Sequence, residues 1–523
     1  MLRDQLRRCA QHTPDKVAFY QGDRLITWSA IYDRAKRLSG ALQSLGLGPG
    51  DRIALLSKEC IEVYEHFFAC MMLGAVRVGV NWRYSPREML HVIHNSDVRH
   101  CIVTSDCQEL MDAIEDDEKV GGCTFIGLGE GHKYDLDYDD MIAAGHAFDP
   151  PEFDENLPLL HTYTSGVTAE PKGVVLSHKS IRLEIGYAPD YFGITANDVY
   201  LMPVQSAWVA IVGGAFGLYN TCTTVIADGG FEISAYMQDM ERRRCTIALM
   251  APAMFPWVIQ MAKTGNYDLS ALRRVVYGSA PSTPAAIREM SETLNVEMLQ
   301  LYGMSEVVAW ACFLQPDDHK RGLAGEEHIL RASGRFATWV DHKICDDDGN
   351  TLPQGETGII HLKGETVMLG YLNLPEETAE ILDEDGWLKT NDIGRVDESG
   401  YVYVLDRRKF LINTGGVNVF PASVEAVISE YPNVLESAVV GVPHPDWGEA
   451  VVVAVVPRAE VDMAPEDLKR DVLEHCAKNL SRQECPKHVE ILTELPRTIT
   501  AKLHKRALQE YFRENVTLPW EQN

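Results

Sequence analysis

Between Lys16 and about Val204, short β-branched and aliphatic runs alternate with helix-length amphipathic segments, and this alternation restricts the possible folds more than any other feature. Arg52-Ile53-Ala54-Leu55-Leu56 precedes a helical pattern around Ile61 to Leu73, and Cys101-Ile102-Val103-Thr104 follows another. Strands alternating with helices predict α/β layers on largely parallel sheets. Thr246 to Ala251, Arg274 to Tyr277 and Val296 to Leu301 read as further buried strands. The last two end in Gly278-Ser279-Ala280-Pro281 and Tyr302-Gly303-Met304-Ser305-Glu306, two glycine turns expected to meet in one crevice. Open α/β sheets bind their ligands at such strand ends.

From Lys343 the texture changes to short strands separated by turn signals, at Asp348-Gly349-Asn350, Gly355-Glu356 and Ser399-Gly400. The charged run Asp406-Arg407-Arg408-Lys409 then reads as a linker. Beyond it, helices near Ala422 to Glu430 and Pro465 to Leu480 flank strands such as Ser437 to Val442 and Ala450 to Val456, a small α+β unit. With 523 residues, 46% of them hydrophobic, the chain has material for more than one core. The expected division is a large domain over 1–405, a hinge over 406–409 and a mobile small domain over 410–523.

A formal charge of −28 argues against nucleic acid or an anionic membrane as a general partner, so an anionic ligand must be held by local charge. Acidic clusters such as Glu115-Asp116-Asp117-Glu118, Asp135 to Asp140 and Asp346-Asp347-Asp348 read as solvated surface. Twelve scattered cysteines without C-x-x-C spacing fit a reducing, cytoplasmic compartment. No signal-peptide core follows Arg3, Arg7 and Arg8, and the most apolar stretch, Phe67 to Val80, is interrupted by Arg77 and is too short to span a bilayer. The expectation is a soluble protein without an integral membrane segment. Nothing in the sequence sets the oligomeric state, and a homodimer stays open.

One run carries chemistry by composition: Thr162-Tyr163-Thr164-Ser165-Gly166-Val167-Thr168-Ala169-Glu170-Pro171-Lys172-Gly173. Small residues let backbone N–H groups turn inward as an anion nest, hydroxyls add donors, and a lysine adds charge, which suits a polyphosphate. An ordinary polar turn after a strand would use the same residues.

Taken together, the motifs resemble the adenylate-forming superfamily: acyl-CoA synthetases, the adenylation domains of peptide synthetases, and the luciferases. The resemblance runs from about residue 10 to 510, with motifs in the family's order. Thr164 to Gly173 resembles its phosphate loop, Tyr302 to Glu306 its Y-G-x-S/T-E motif, and Thr390-Asn391-Asp392 its T-G-D motif. Asp406-Arg407-Arg408-Lys409 is similar to its hinge, and Leu495-Pro496-Arg497-Thr498 through Lys502 to the C-terminal segment that carries the family's lysine.

The resemblance implies ATP, Mg²⁺ and CoA as co-substrates and cofactor, and a role for each matching residue. Thr164, Ser165, Gly166, Thr168 and Lys172 would cradle the β- and γ-phosphates, with Thr168, Glu306 and Lys502 taking part in the chemistry. Glu306, next to Ser305, would hold the metal, against the plain alternative of an acid at a helix N-terminus. Tyr302 would stack on adenine, with Gly278, Ser279 and Ala280 at its border and Gly303 also in the ATP-binding set. Asp392 would accept the ribose hydroxyls, and Arg407 would bind ribose or phosphate. Lys502 lies beyond the hinge and would bridge the acid and the α-phosphate only when the small domain closes. Lys409 matches the pivot, and Gly415 and Gly416 match the pantetheine channel of a second, rotated arrangement.

The stretch from Leu201 to Trp208 aligns with the start of the family's acyl pocket. Ser206 stands there in place of a frequent histidine, and no aspartate is present to meet an α-ammonium group. With Ser206, Trp208, Tyr277, Gly303 and Val307 as lining, the expected substrate is a hydrophobic fatty, aryl or alicyclic acid. Several spacer positions depart from the family pattern: Val167, Ala169, Asn391, Asp406, Phe410 and Ala501. Three functions stay open at this level. The chain could be an acid–CoA ligase, an adenylating enzyme serving a carrier protein or another nucleophile, or an ATP-binding protein without ligase activity.

Overall fold

The computed structural model describes the chain except for residues 165–169, 204, 228–231, 266, 459–460, 462, 498–502 and 522–523. An eight-stranded sheet runs in the order Gly370–Tyr371, Lys172–Ser177, Pro158–Thr164, Val76–Asn81, Arg52–Ser57, His100–Thr104, Thr124–Leu128, Leu136–Asp137. Neighbours from Pro158–Thr164 onward are parallel, as the alternation predicts. Lys172–Ser177 and Gly370–Tyr371 instead add in antiparallel fashion. The hydroxyl-rich run is therefore the connection of a hairpin, with Thr164 paired to Lys172.

A nine-stranded sheet holds the later strands, observed as Ile247–Met250, Arg274–Gly278 and Glu297–Tyr302. The N-terminal strand Val17–Gln21 joins this second sheet, parallel to Thr223–Ile226. Local pattern could not announce that assignment, because the pairing spans two hundred residues of chain.

Helices between the two sheets close the core, which contains side chains from both. All 13 residues of Ile61–Leu73 are buried, so this helix shows no polar stripe. Gly74, in the left-handed region at φ 73°, ends it, and Val76–Asn81 follows as a strand. The apolar stretch from Phe67 to Val80 is thus a helix and a strand. Among the described residues no helix is long and apolar enough to cross a membrane.

The sheets approach most closely where the segment after Val199–Met202 lies on the first sheet. A Cβ on Gly79 would sit 2.5 Å from the Ala207 carbonyl oxygen, and Asn81 Nδ2 donates to Gln205 Oε1 over 2.8 Å.

The β-rich segment is a four-stranded antiparallel sheet of Asp341–Cys345, Gly358–Lys363, Leu388–Val396 and Val402–Arg407. Of the expected linker, Asp406 and Arg407 belong to the last strand, and Arg408–Phe410 form a short 3₁₀ turn. After the turn comes a sheet built on the pair Val434–His444 and Gly448–Pro457. Val439, Val451 and Val453 pack with helices Pro421–Ile428 and Pro465–Asn479, while Val440, Val452 and Ala454 pack on the other face with Leu508 and Phe512. The sequence reading missed the helix Lys505–Asn515 that covers this second face. Neither cluster includes a residue before Ile412, so the unit has its own core.

Gly79→Ala should cost about 1–3 kcal/mol, because backbone rather than a flexible side chain opposes the new methyl. Thermal unfolding checks it: the midpoint of the variant is expected to fall, and an unchanged midpoint would contradict the close approach.

Candidate active site

Asp392 is the centre of the site, and sheet register puts it there. Leu388–Val396 and Val402–Arg407 run antiparallel with Asp392 opposite Arg407, so a carboxylate and a guanidinium become a cross-strand pair. Arg407 Nε lies 3.2 Å from Asp392 Oδ1. On the other oxygen, the Tyr302 hydroxyl donates to Asp392 Oδ2 over 2.7 Å. Burial first, and then the Asp392 charge, hold the Tyr302 phenol well above its ordinary pKa, so it remains a donor. Thr390 Oγ1 accepts the Asp392 N–H at 3.0 Å and donates to the Ile360 carbonyl at 2.8 Å. Asn391 stands at φ 59°, where the family pattern has glycine. Asparagine is among the few side chains that tolerate that region.

A second group lies on the same strand ends. The register Gly278 to Leu301 places the two glycine turns side by side, as expected of a shared crevice. A Cβ on Gly278 would come within 2.7 Å of the Leu301 carbonyl oxygen, and Ser279 is left-handed at φ 67°, with Ser279 and Ala280 exposed. Beyond Tyr302 the chain doubles back tightly: a Cβ on Gly303 would be 1.9 Å from the Ala309 oxygen, and Val308 takes φ 61°. A β-branched residue there is strained, which marks a loop held in shape by its surroundings.

The turn Ser305–Val307 in this loop carries Glu306, which is buried. Its Oε1 accepts the Tyr371 hydroxyl at 2.8 Å, and its carbonyl accepts the Met368 N–H at 2.8 Å. Lys172 Nζ stands 5.0 Å from the centre of the same Tyr371 ring. Burial lowers the proton affinity of Arg407, but Asp392, Glu306, Tyr302 and Tyr371 together raise it, so its charge belongs to both groups. Tyr371, which links Lys172 to Glu306, escaped the sequence reading because it sits in a two-residue strand with no periodic signal. Among the described residues no cluster of three or more His, Cys, Asp or Glu side chains could hold a metal alone. A single buried carboxylate such as Glu306 is compatible with Mg²⁺, which takes much of its shell from water and phosphate.

Other expected residues lie elsewhere. Ser165, Gly166, Thr168 and Lys502, with the spacers Val167, Ala169 and Ala501, fall outside the described residues. Thr164 ends its strand, its Oγ1 3.5 Å from the Lys172 carbonyl oxygen. Tyr277 does not line a pocket. Its hydroxyl donates to Gln300 Oε1 at 3.1 Å and meets His319 Nε2 at 2.9 Å, and its ring packs edge-on against Phe255. Val276 faces the main core, so by strand alternation Tyr277 faces the opposite layer. Gly415 and Gly416, at φ 60° and 82°, form the exposed two-residue turn between Ile412–Thr414 and Val417–Val419. A type I′ hairpin requires positive φ at both positions, which accounts for the pair locally. Lys409 is exposed in the turn after Arg407, its Nζ 4.9 Å from the Phe410 ring.

Ser206, expected at the acyl pocket, is buried and donates through both N–H and Oγ to Glu59 Oε1, at 2.8 and 3.1 Å. Burial pushes the Glu59 carboxyl up to about 7, against the Ser206 hydrogen bonds and the nearby charges of Arg77 and Arg83. Arg77 is buried, with Nε and Nη1 lacking a hydrogen-bond partner, and burial brings its guanidinium down to about 10. The sequence reading registered Arg77 only as a break in an apolar run. Trp208 is half-buried beside the Tyr84 hydroxyl, and Val307 is in the main core.

Because the folded chain holds the Glu59 proton more tightly than an unfolded one, this group makes stability fall as pH rises from 4.5 to about 7. Glu59→Gln should remove that slope. Unfolding midpoints of both proteins across this range test it, and parallel curves would refute the shift.

Known proteins share this arrangement of domains. The sequence model of the AMP-binding enzyme family matches residues 6–372, and that of the AMP-binding enzyme C-terminal domain matches residues 423–502. A fatty acid–acyl-carrier-protein ligase of Streptomyces coeruleorubidus is 32% identical over 508 residues, covering 96% of this chain and 95% of its own. An indoleacetate–CoA ligase of Aromatoleum aromaticum is 30% identical over 513 residues, covering 96% of each chain. The crystal structure of an anthranilate–CoA ligase in complex with anthranoyl-AMP superposes with a TM-score of 0.89 at 25% identity, covering 98% of this chain and 97% of its own. With a carboxylate, a guanidinium, a lysine and two tyrosines grouped on the strand ends of a two-domain α/β chain, this protein belongs to the AMP-binding family of adenylate-forming enzymes.

Proposed function

We propose that the chain is an ATP-dependent acid–thiol ligase that activates a hydrophobic carboxylic acid as its acyl-adenylate and passes the acyl group to CoA. The observation that carries this reading is the grouping of Lys172, Glu306, Asp392 and Arg407 through Tyr371 and Tyr302. A carboxylate resists nucleophilic attack because its oxygen leaves poorly. In the first step an oxygen of the acid bonds to the α-phosphorus of ATP and the bond to the β-phosphate breaks, releasing pyrophosphate. In the second a thiolate bonds to the acyl carbon and AMP leaves with the former acid oxygen. The first step gathers anions, so fixed cations and oriented donors must be in place before it starts.

In this reading Asp392 holds the ribose hydroxyls. Each carboxylate oxygen accepts more than one hydrogen bond, so Tyr302 and Arg407 can orient it without saturating it. Lys172 meets the departing pyrophosphate, and Glu306 offers one ligand to Mg²⁺, which neutralises phosphate charge when bound. Lys502 bridges acid and α-phosphate from the small domain. The loop anchored by Ser206 and Glu59, with Trp208 and Val307, borders the acid. Lys409 is the pivot within a hinge at 406–409, and the Gly415-Gly416 turn approaches the site only after rotation. A purely nucleotide-binding role would leave Lys502 without a use.

The relative that serves an acyl-carrier protein supports a second acceptor. In that reading the same adenylate is delivered to a carrier thiol, and CoA does not stimulate turnover.

AMP and pyrophosphate release should be followed across fatty, aryl and alicyclic acids, with and without CoA. Acid-dependent release that multiplies with CoA, and an acyl-CoA product by mass, is the expected result; exchange without CoA stimulation moves the acceptor to a carrier. Lys502→Ala should lower acid-dependent exchange by about 10²–10³, as loss of one transition-state donor does. Thioester formation from supplied acyl-AMP should persist in that variant, and equal loss of both half-reactions would contradict two separate closures.

A further inference from the structure

Asp406 stands where the family pattern has glycine, and its side chain makes contacts across the hinge. It is the penultimate residue of the strand Val402–Arg407, opposite Ile393, so its backbone belongs to the large domain. Its side chain reaches the other way. Oδ1 accepts the Arg407 N–H at 2.7 Å, and Oδ2 accepts the N–H of Ala422, in the small domain's helix Pro421–Ile428, at 3.2 Å. Lys505 Nζ, from the first residue of helix Lys505–Asn515, lies 3.6 Å from Asp406 Oδ2 and 3.1 Å from Glu425 Oε1. Glu425 is fixed in turn by the Val439 N–H at 2.8 Å. The side chains of Asp406, Lys505 and Glu425 are 7, 11 and 17% exposed, so water screens them little. The ring of Phe410, another departure from the pattern, lies 5.6 Å from Lys505 Nζ.

The arrangement is asymmetric. Lys505 and Glu425 belong to one rigid unit and move together, whereas Asp406 stays with the sheet that presents Asp392 and Arg407. A rotation about Lys409 that carries both helices away from the strand end must take Lys505 and Ala422 off Asp406. A second interdomain pair among the described residues, Arg331 with Glu430 at 2.9 Å, is about half exposed and correspondingly weaker. Lys505 also follows Lys502 by three positions.

We propose that Asp406 and Lys505, braced by Glu425, are positioning residues that latch the small domain in its present closure and thereby set the balance between the two half-reactions. The part concerning half-reactions rests on the two-step reading above; the latch itself does not. Removing Asp406 leaves the Lys505–Glu425 pair neutral and intact, so Asp406→Gly opens the hinge without stripping the small domain's own contacts. Lys505→Met instead leaves two carboxylates facing each other, and Lys505→Arg keeps the charge.

Two measurements on the full chain decide it. Trypsin can cut after Arg407, Arg408 and Lys409, all exposed, and needs no substrate turnover. Cleavage there should quicken about 5- to 20-fold in Asp406→Gly, the range of an ordinary coupling between two states, and Lys505→Arg should stay close to the parent. Cleavage of Asp406→Gly at the parental rate overturns the latch. In parallel, the ratio of acid-dependent ATP–pyrophosphate exchange to thioester formation from supplied acyl-AMP and CoA should change in Asp406→Gly; an unchanged ratio overturns the effect on balance. A parent protein inactive in both half-reactions would count against the ligase reading, while the trypsin result would still decide the latch.

Discussion

The site depends on one electrostatic constraint: a buried carboxylate, Asp392, must be matched by opposite charge and hydrogen-bond donors. Burial of an unpaired carboxylate is expensive enough that the group would ordinarily take up a proton. Arg407 opposite it in the sheet, the Tyr302 hydroxyl and the backbone bond through Thr390 offset that cost. These contacts come from three parts of the chain, and each is placed by a different device. Arg407 follows from antiparallel register, Tyr302 from the end of a parallel strand, and Thr390 from its place two residues before Asp392 on the same strand. Asp392 is thereby one tie between the β-rich sheet and the nine-stranded sheet, beside the Gly334–Val402 bridge and the stacked Phe336 and His342 rings.

The segment around Ser206 has the opposite electrostatic character. Burial pushes the Glu59 carboxyl up to about 7, and Arg77 is buried with two guanidinium nitrogens unpartnered. Incompletely matched buried charges are costlier to order around than an apolar contact would be. Gly79 lets the Ala207 backbone lie close against its strand, next to Ser206 and its bonds to Glu59. The group around Asp392 is consolidated by matched charge and the 205–208 segment by close packing.

Much of this architecture was legible because alternation of strand and helix is a local property. Strand ends such as Gly278 and Tyr302 could be placed from composition, and motif order then supplied roles for Lys172, Glu306, Asp392 and Arg407. What stayed illegible is long-range or cooperative. The N-terminal strand belongs to the second sheet through a pairing of Phe19 with Thr224. Tyr371 becomes a bridge only once a two-residue strand docks beside Lys172–Ser177. Tyr277, expected among the acyl-pocket lining, packs on the opposite side of its strand from Val276, in the other layer. The glycine pair 415–416 carries a double meaning, since a tight hairpin demands it whatever the turn later touches.

The departures from the family pattern can be sorted by what the backbone needs at each place. Position 391 needs positive φ, and asparagine supplies it, so the substitution costs little. Position 406 is extended strand, where glycine has no conformational advantage and a side chain is free to do something else. The aspartate there caps Arg407, reaches Ala422 and meets Lys505. Losing a glycine beside a pivot would restrict motion if the motion ran through that residue. Here the strand pairing already fixes 406, and the backbone change falls on the turn after it. A stiffer spacer therefore does not argue against activity. It moves control of the small domain from backbone freedom to a breakable ion pair, whose strength can be set by side chains without touching the residues that face the nucleotide.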